Sequence, residues 1–320
     1  MKLADLERHC SFVLSISLVA CFLAVLSMRG RSSTRLAAHL VQKKQEDDFW
    51  STADKSLAWY SMDLSHTVNT DLQNKFVLMT EDAETQAFIQ SSIAQSESWL
   101  TQSWYNLAKT VLNWFSYTHT DMNGILQRGS MFVLSTQQLQ SLFDHAQVLL
   151  PPASVMIDLG AGDGKVTQKM APFFTQIFAT ETSRPMQKLL KNYNITVLPV
   201  DQWMTRMKYD FIACLNLLDR CDRPIDIIKD MKEALNPRGL VLVAIVLPFK
   251  PFVEAKENYE PTQVLQITGE TVMQQVESLV RIFEQNGFNL LAWTRLPYLC
   301  EGDMVHSVYY LDDIVFLLQL

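Results

Sequence analysis

The sequence predicts an α/β protein: a doubly wound, seven-stranded sheet with an antiparallel C-terminal hairpin, preceded by N-terminal helices. Apolar runs of strand length alternate with helical patterns over much of the second half of the chain. The runs are continuously apolar, as expected of strands that helices cover on both faces. The last two runs are joined by only a short link, which predicts an antiparallel pair at the edge of the sheet.

The N-terminus carries an uncharged apolar run over residues 10–28. This run could cross a hydrocarbon core of about 30 Å as a helix, so residues 1–28 are expected to be a signal anchor or a cleaved signal peptide. Arginines after the run favour a cytosolic domain, whereas the sequon at Asn194 has meaning only in a lumen. Orientation therefore stays open. The expected location is the endoplasmic reticulum or another endomembrane, with mitochondria as an alternative.

Three further segments follow the apolar run. Residues 29–50 are polar and are expected to be a linker, and residues 51–122 are expected to form an N-terminal helical region. Within that region, apolar residues recur at three- and four-residue spacings over about 84–118, which predicts one amphipathic helix. We expect it to pack on the following domain, the alternative being a membrane-surface or partner-binding helix. Residues 123–320 form the predicted α/β domain.

The elements of that domain follow in a regular order. Predicted strands lie at residues 154–160, 177–181, 195–200, 209–218, 239–249, 289–299 and 308–320. Predicted helices lie at residues 165–174, 184–193, 224–235 and 270–288. This alternation is typical of a Rossmann-like sheet, in which ligands bind beyond the carboxyl ends of the strands.

The stretch VMIDLGAGDGKV, residues 155–166, places three glycines directly after the first predicted strand. A phosphate-binding P-loop would need glycine and a hydroxyl residue where Leu159 and Val166 stand. A dinucleotide fingerprint would need glycine in place of Lys165. The pattern instead resembles the first motif of the class I methyltransferases, which bind S-adenosylmethionine.

The residues of this turn suit that cofactor chemically. Gly160 and Gly162 allow the backbone to approach a ligand closely and to adopt positive φ angles. Asp158, on the strand, suits the ammonium group of a methionine tail. Glu181 ends the second strand nineteen residues after Gly162, where an acid can accept both ribose hydroxyls.

Several longer stretches resemble one family, among them GILQRGSMFVLS, CLNLLDRCDRP, VLPFKPFVE and TRLPYLCEGDM. They are similar to the DREV family, also called methyltransferase-like protein nine, over about Asn123 to the C-terminus. The resemblance implies a protein-histidine methyltransferase that modifies the pros nitrogen, preferring His-x-His segments with a small middle residue. Val305, His306 and Lys250 depart from the family's pattern and leave substrate preference near them open.

By position, the resemblance implies a role for five residues. Glu181 would hold the ribose, and Asn216 and Tyr298 would lie at the cofactor. Asp219 would lie beside the target imidazole as a catalytic residue, and Tyr309 near the substrate pocket.

The stretch CLNLLDRCD supports these roles independently, because it begins at the end of the fourth predicted strand, where ligands of such folds bind. Asp219 is nearer the strand end than Asp222, which is expected to cap the next helix. Alternatively, Asp219 is a loop carboxylate paired with Arg220.

Three further segments have less specific patterns. Asp201 is a candidate acceptor for the adenine amine. Trp203 either stacks on adenine or belongs to the core. Residues 128–132 either close over the cofactor or serve in packing.

Charge and cysteine spacing narrow the function further. The net charge of −7 disfavours a nucleic-acid partner, and the five cysteines and six histidines show no metal-ligand spacing. The predicted function is S-adenosylmethionine-dependent methylation of protein histidines. The alternatives are a small-molecule or lipid methyltransferase and a non-catalytic, membrane-tethered scaffold that binds the cofactor.

Overall fold

A computed structural model describes residues 32–65, 67, 69–98, 104–105, 108–109, 118–254, 256, 258–303 and 305–320. The chain divides into two compact units, residues 1–49 and residues 50–320. The apolar run at residues 10–28 lies outside the described residues. Within the described part, no helix is both long enough and apolar enough to cross a membrane.

The segment expected to be a linker is largely helical. Helix α1 spans Ser32–Thr52 and contains neither glycine nor proline. Alanine, leucine, glutamine and lysine, which have high helix propensity, make up much of it, and this explains the difference from the prediction.

Shorter helices precede the sheet domain, among them α2 Ser56–Trp59, α3 Thr70–Asn74, α4 Ala83–Glu97 and α5 His119–Leu126. Asp82 caps α4 by accepting a hydrogen bond from the backbone N–H of Thr85. The predicted long helix therefore begins as α4, while most of its second half lies outside the described residues.

In the part of the chain that the structure describes, the sheet has eight strands. They are β1 Met131–Phe132, β2 Val155–Leu159, β3 Gln176–Thr180, β4 Thr196–Leu198, β5 Tyr209–Leu215, β6 Leu235–Val246, β7 Asn289–Glu301 and β8 Val308–Gln319. The helices between them are α6 Thr136–His145, α7 Lys165–Met170, α8 Arg184–Asn192, α9 Trp203–Arg206, α10 Pro224–Ala234 and α11 Val272–Gln285, with a 3₁₀ turn at Ala171–Phe173.

The strand order is β1-β7-β8-β6-β5-β2-β3-β4. Strands β2 to β6 pair in parallel, and β8 is antiparallel to both β6 and β7. The doubly wound sheet with its antiparallel C-terminal hairpin is thus confirmed. The predicted count of seven strands is one too low, because β1 is only two residues long and leaves no strand-length apolar run.

Both faces of the sheet are buried. Met156 and Ile157 are consecutive in β2, fully buried, and belong to two different core clusters. Trp203 lies in one of these clusters, and its carbonyl accepts a 2.9 Å hydrogen bond from the Tyr209 hydroxyl, so it is a core residue. The polar residues of interest lie at the carboxyl ends of the parallel strands.

Candidate active site

The glycine turn after β2 has open space beside Gly162. Gly160, Gly162 and Gly164 have φ angles of +73°, +55° and +82°, which glycine adopts without the strain of a side chain. A Cβ on Gly164 would lie 2.8 Å from Cδ2 of Leu190, whereas one on Gly162 would meet no described atom within 4 Å. The turn therefore packs tightly against α8 at one end and leaves room for a ligand at Gly162.

Glu181 lies at this turn, directly after β3. Its buried carboxylate accepts hydrogen bonds from the backbone N–H groups of Gly162 and Ser183, at 2.9 and 2.8 Å. The amide of Gln187 donates to its carbonyl at 2.7 Å. These bonds fix the carboxylate beside the open part of the turn. The structure thus brings Glu181 and Gly162 together, as the ribose prediction requires.

Asp158 lies on β2 beneath the same turn and is 3% exposed. Burial raises the pKa of its carboxyl to about 7, the Thr167 hydroxyl lowers it through a 2.6 Å hydrogen bond, and the charge of Glu181 raises it. A cationic group bound here would favour the ionised form. This is the electrostatic environment that a ligand ammonium group needs.

Asn216 follows β5 in a left-handed conformation, with φ of +51°. Its N–H donates to the carbonyl of Ala244 at 2.9 Å, and its side-chain Nδ2 donates to Oδ2 of Asp313 at 2.7 Å. Asp313 lies on β8 in register with Val246 of β6 and is fully buried. Burial raises the pKa of the Asp313 carboxyl well above its usual range. The hydrogen bond from Asn216 lowers that pKa, and the nearby charge of Asp219 raises it.

Asp219 lies in the loop after β5 and is only 2% exposed. Its Oδ2 pairs with Nε of Arg220 at 3.1 Å, and its carbonyl accepts the N–H of Phe252 at 2.8 Å. Burial raises the pKa of the carboxyl, and Arg220 opposes that shift. The pairing with Arg220 is therefore real, but Oδ1 of Asp219 is buried and has no hydrogen-bond partner among the described residues.

Asp222 plays a different part from the one predicted. It does not cap α10, whose N-cap is Arg223. Instead its carboxylate accepts from the N–H of Thr262 at 2.7 Å and pairs with Nζ of Lys256 at 2.5 Å. These bonds lower its pKa to about 2, with Lys256 the largest cause. Asp222 ties two loops together, which leaves Asp219 as the buried acid of this segment.

The two tyrosines predicted at the site lie on the C-terminal hairpin. Tyr298 on β7 is half-buried, and its hydroxyl donates to Sδ of Met131. Tyr309, at the start of β8, is 41% exposed and donates to Oδ2 of Asp303 at 3.0 Å. Tyr310 packs against Trp50 at 5.7 Å between ring centroids. Tyr309 thus lies beside the loop that joins the two strands.

Asp201 is exposed in the turn after β4. Its position at the carboxyl end of that strand is compatible with an adenine contact, and the assignment stays a prediction. Within the described residues, no group of three histidine, cysteine, aspartate or glutamate side chains could hold a metal ion.

The segment before β1 contacts the glycine turn through a network that the sequence did not reveal. Arg128 and Glu301 form a buried pair, with Nε and Oε1 2.9 Å apart. Glu301 also accepts from the N–H groups of Gly129 and Ser130, at 2.8 and 3.1 Å. The Ser130 hydroxyl in turn donates to Oδ2 of Asp163 at 2.8 Å. Residues 128–132 are therefore fixed against the turn.

The family model of the DREV methyltransferases matches residues 59–320. The chain belongs to the DREV methyltransferase family. This membership agrees with the Rossmann-like sheet and makes S-adenosylmethionine the cofactor. The open side of Gly162 and the acids Asp158 and Glu181 fit such a group, since they offer space and acceptors for hydroxyl and ammonium groups.

Among the solved structures to which the chain is similar are the following three methyltransferases. An S-adenosylmethionine-dependent enzyme from Clostridium acetobutylicum is 14% identical, covering 58% of this chain and 90% of its own, with a TM-score of 0.39. Magnesium protoporphyrin IX methyltransferase from Synechocystis PCC 6803 is 14% identical, covering 57% and 81%, with a TM-score of 0.37. The N-methyltransferase NodS from Bradyrhizobium japonicum is 11% identical, covering 57% and 86%, with a TM-score of 0.37.

Proposed function

We propose that this DREV-family protein transfers a methyl group from S-adenosylmethionine to the pros nitrogen of histidine side chains in His-x-His segments of other proteins. The observation that carries the proposal is Asp219: a buried carboxylate after β5, with one oxygen held by Arg220 and the other without a partner among the described residues. A buried acceptor of this kind suits the N–H of a bound ring.

The cofactor would bind beside the carboxyl ends of β2 and β3. When bound, S-adenosylmethionine supplies an electrophilic methyl group carried on a sulfonium. Glu181 would accept the ribose hydroxyls while keeping its bonds to the backbone N–H groups. Asp158 would face the ammonium group, and Gly162 would leave space for the ligand.

Asp219 would orient the target ring. The reactive form of imidazole is neutral, and its reference pKa near 6.5 leaves a large neutral fraction at physiological pH. By accepting the N–H of one ring nitrogen through Oδ1, Asp219 holds the tautomer whose other nitrogen has a free lone pair. The same carboxylate stabilises the positive charge that the ring gains on methylation. Tyr309, on the hairpin, would contact the substrate.

Asp219 would accept the ring N–H and, once the ring is methylated, take its proton as a positioned base. Arg220 offsets part of the cost of burying Asp219 in its ionised, accepting form. A fixed acceptor places the attacking nitrogen within near-attack distance, about 3 Å, of its target carbon.

We also propose that the substrates are met at an endomembrane, mainly the endoplasmic reticulum. The support is the uncharged apolar run at residues 10–28, which is typical of a signal peptide or anchor. Expression of the full chain with residues 1–28 deleted tests this, since a diffuse distribution is expected only for the deletion variant. An unchanged distribution would contradict the proposal.

The substrate class can be tested with radiolabelled S-adenosylmethionine. The purified protein is incubated in parallel with a His-x-His peptide, the same peptide with both histidines replaced by alanine, and a lipid extract. Incorporation into the histidine peptide alone is expected, with mass spectrometry locating the methyl group on histidine. Incorporation only into lipid or small molecules would favour another methyltransferase class, and binding without any turnover would favour a scaffold.

A further inference from the structure

Asp313 is an unusual residue for its position. It lies on β8 within an apolar run and is fully buried, whereas its neighbour Asp312 pairs at the surface with Arg295, whose Nη2 is 2.6 Å from Oδ1. Removing a carboxylate from water costs free energy unless it is well paired. No cation of the described residues pairs with Asp313. Burying an apolar residue at this position would cost less free energy. We therefore expect the carboxyl group to have a specific role.

The partner of Asp313 is the amide of Asn216. Oδ2 of Asp313 accepts the hydrogen bond from Nδ2 at 2.7 Å. This bond turns the NH₂ group of Asn216 toward Asp313 and its carbonyl oxygen away. The backbone of Asn216 is itself fixed, because its N–H is bonded to Ala244 at 2.9 Å.

The oxygen that Asn216 turns away is the important atom. Oδ1 of Asn216 is buried and lacks a hydrogen-bond partner in the described part of the chain. A buried, oriented acceptor without a donor points to a ligand that brings one. Asn216 lies directly after β5, at the carboxyl end of the sheet where ligands of such folds bind.

We propose that Asp313 is a positioning residue: by holding Nδ2 of Asn216, it aims Oδ1 of that amide at an N–H donor of bound S-adenosylmethionine. The inference rests on the proposed function only for the identity of this ligand. Asp313 does not touch the ligand; it selects which end of the amide does. The titratable groups near Asp313 include Asp219, Tyr298 and Cys300. None of these is a cation that could replace Asn216 as the partner of Asp313.

Calorimetry with S-adenosylhomocysteine, the spent cofactor, tests the proposal without requiring turnover. Asp313→Ala removes the acceptor for Nδ2 and is expected to weaken binding about tenfold, the scale of one hydrogen bond to a charged group. Asp313→Asn keeps an acceptor oxygen at the same place and is expected to bind within about threefold of wild type. Equal losses in both variants would assign the effect to charge and overturn the positioning role.

A double-mutant cycle provides the second readout. Asn216→Ala alone should weaken binding about as much as Asp313→Ala, and combining them should add less than about twofold, because Asp313 acts through Asn216. Additive losses, or an Asp313→Ala variant that binds like wild type, would overturn the proposal.

Two further variants keep the test decisive. Asp312→Asn, on the other face of β8, should bind like wild type. Asn216→Asp keeps the shape of the side chain but loses the donor to Asp313, so it tests the same bond if Asp313→Ala does not fold. It should bind about tenfold more weakly, and binding within twofold of wild type would contradict the inference.

Wild-type protein that binds no S-adenosylhomocysteine would overturn the proposed function itself, whereas binding that is insensitive to these variants would overturn only the role of Asp313.

Discussion

On the β2–β3 side of the sheet edge, the side chains are well paired within the protein. Glu181 accepts two backbone N–H groups, and Asp158 accepts the Thr167 hydroxyl. On the β5–β8 side, Asn216, Asp219 and Asp313 each keep one buried oxygen that finds no partner among the described residues. Because unpaired buried acceptors are costly, those of Asn216 and Asp219 mark where a ligand must supply donors, while Asp313 holds the amide of Asn216 in place. The β2–β3 side therefore has a fixed geometry, and the β5–β8 side offers acceptors to a bound group.

Asp219→Asn should produce the largest effect. The variant keeps the size of the side chain but can no longer offer a charged acceptor to the ring, so turnover on a His-x-His peptide should fall by about 10²–10⁴-fold. Affinity for S-adenosylhomocysteine should stay within about threefold of wild type, since Asp219 is proposed to contact the target ring and not the cofactor. Peptide methylation rates and calorimetry measure the two quantities. A fall in turnover of less than threefold would remove Asp219 from the mechanism.

Glu181→Ala should act on the other side alone. The loss of a charged acceptor for ribose, and of the bonds that hold Gly162, should weaken S-adenosylhomocysteine binding by about 10–100-fold. Glu181→Gln keeps one acceptor oxygen and is the matched control. Its affinity for S-adenosylhomocysteine should lie between those of wild type and Glu181→Ala. Unchanged affinity of Glu181→Ala in calorimetry would refute the ribose role.

Asp158 gives a pH test of the same side. Its pKa of about 7 means that below this pH the free protein must release a proton before the carboxylate meets the ligand ammonium. Affinity for S-adenosylhomocysteine should therefore rise about tenfold per pH unit up to about pH 7 and then level off. The slope should disappear in Asp158→Asn. Calorimetry between pH 5.5 and 8 checks this, and an unchanged slope in the variant would exclude Asp158 as its source.

The same raised pKa has a consequence for the ligand-free protein. Between the unfolded value of 3.8 and about 7, the unfolded chain releases the proton while the folded chain keeps it. The stability that Asp158 contributes is thus present below that range and is lost as pH rises through it. Chemical denaturation of wild type and Asp158→Asn at several pH values should show this difference.

Tyr309→Phe should have the smallest effect. It removes the hydroxyl bonded to Asp303, on the exposed hairpin, so peptide kcat/KM should fall about fivefold, the scale of one neutral hydrogen bond. Affinity for the spent cofactor should not change. Tyr310→Phe is the matched control, because that side chain packs against Trp50. Equal losses in both variants would indicate a general effect on the hairpin.

The same two sides differ in how far the sequence predicted them. The glycine turn and Glu181 are local features: a run of glycines after an apolar strand, and an acid at the end of the next strand. Parallel pairing of β2 with β3 then brings them together, so pattern and spacing were enough. The helices α7, α8, α10 and α11 were equally accessible, because each is an amphipathic segment between apolar runs, whereas α6 and α9 were not predicted.

The β5–β8 side depends on contacts between distant parts of the chain. Asp313 belongs to an apolar strand, and only the antiparallel register with β6 brings it within hydrogen-bond distance of Asn216. The lone acidic pair Asp312-Asp313 inside that run was the available signal. Arg128 and Glu301 are likewise far apart in sequence, and their pairing depends on β1, which is too short to predict.

The proposed role of Asp219 is tested most directly by a crystal structure of the protein with S-adenosylhomocysteine and a His-x-His peptide. We expect the ligand over Gly162 with its ribose on Glu181, and a histidine ring whose N–H lies about 3 Å from Oδ1 of Asp219. A peptide histidine bound away from Asp219, or an Asp219 with both oxygens occupied by Arg220, would contradict it.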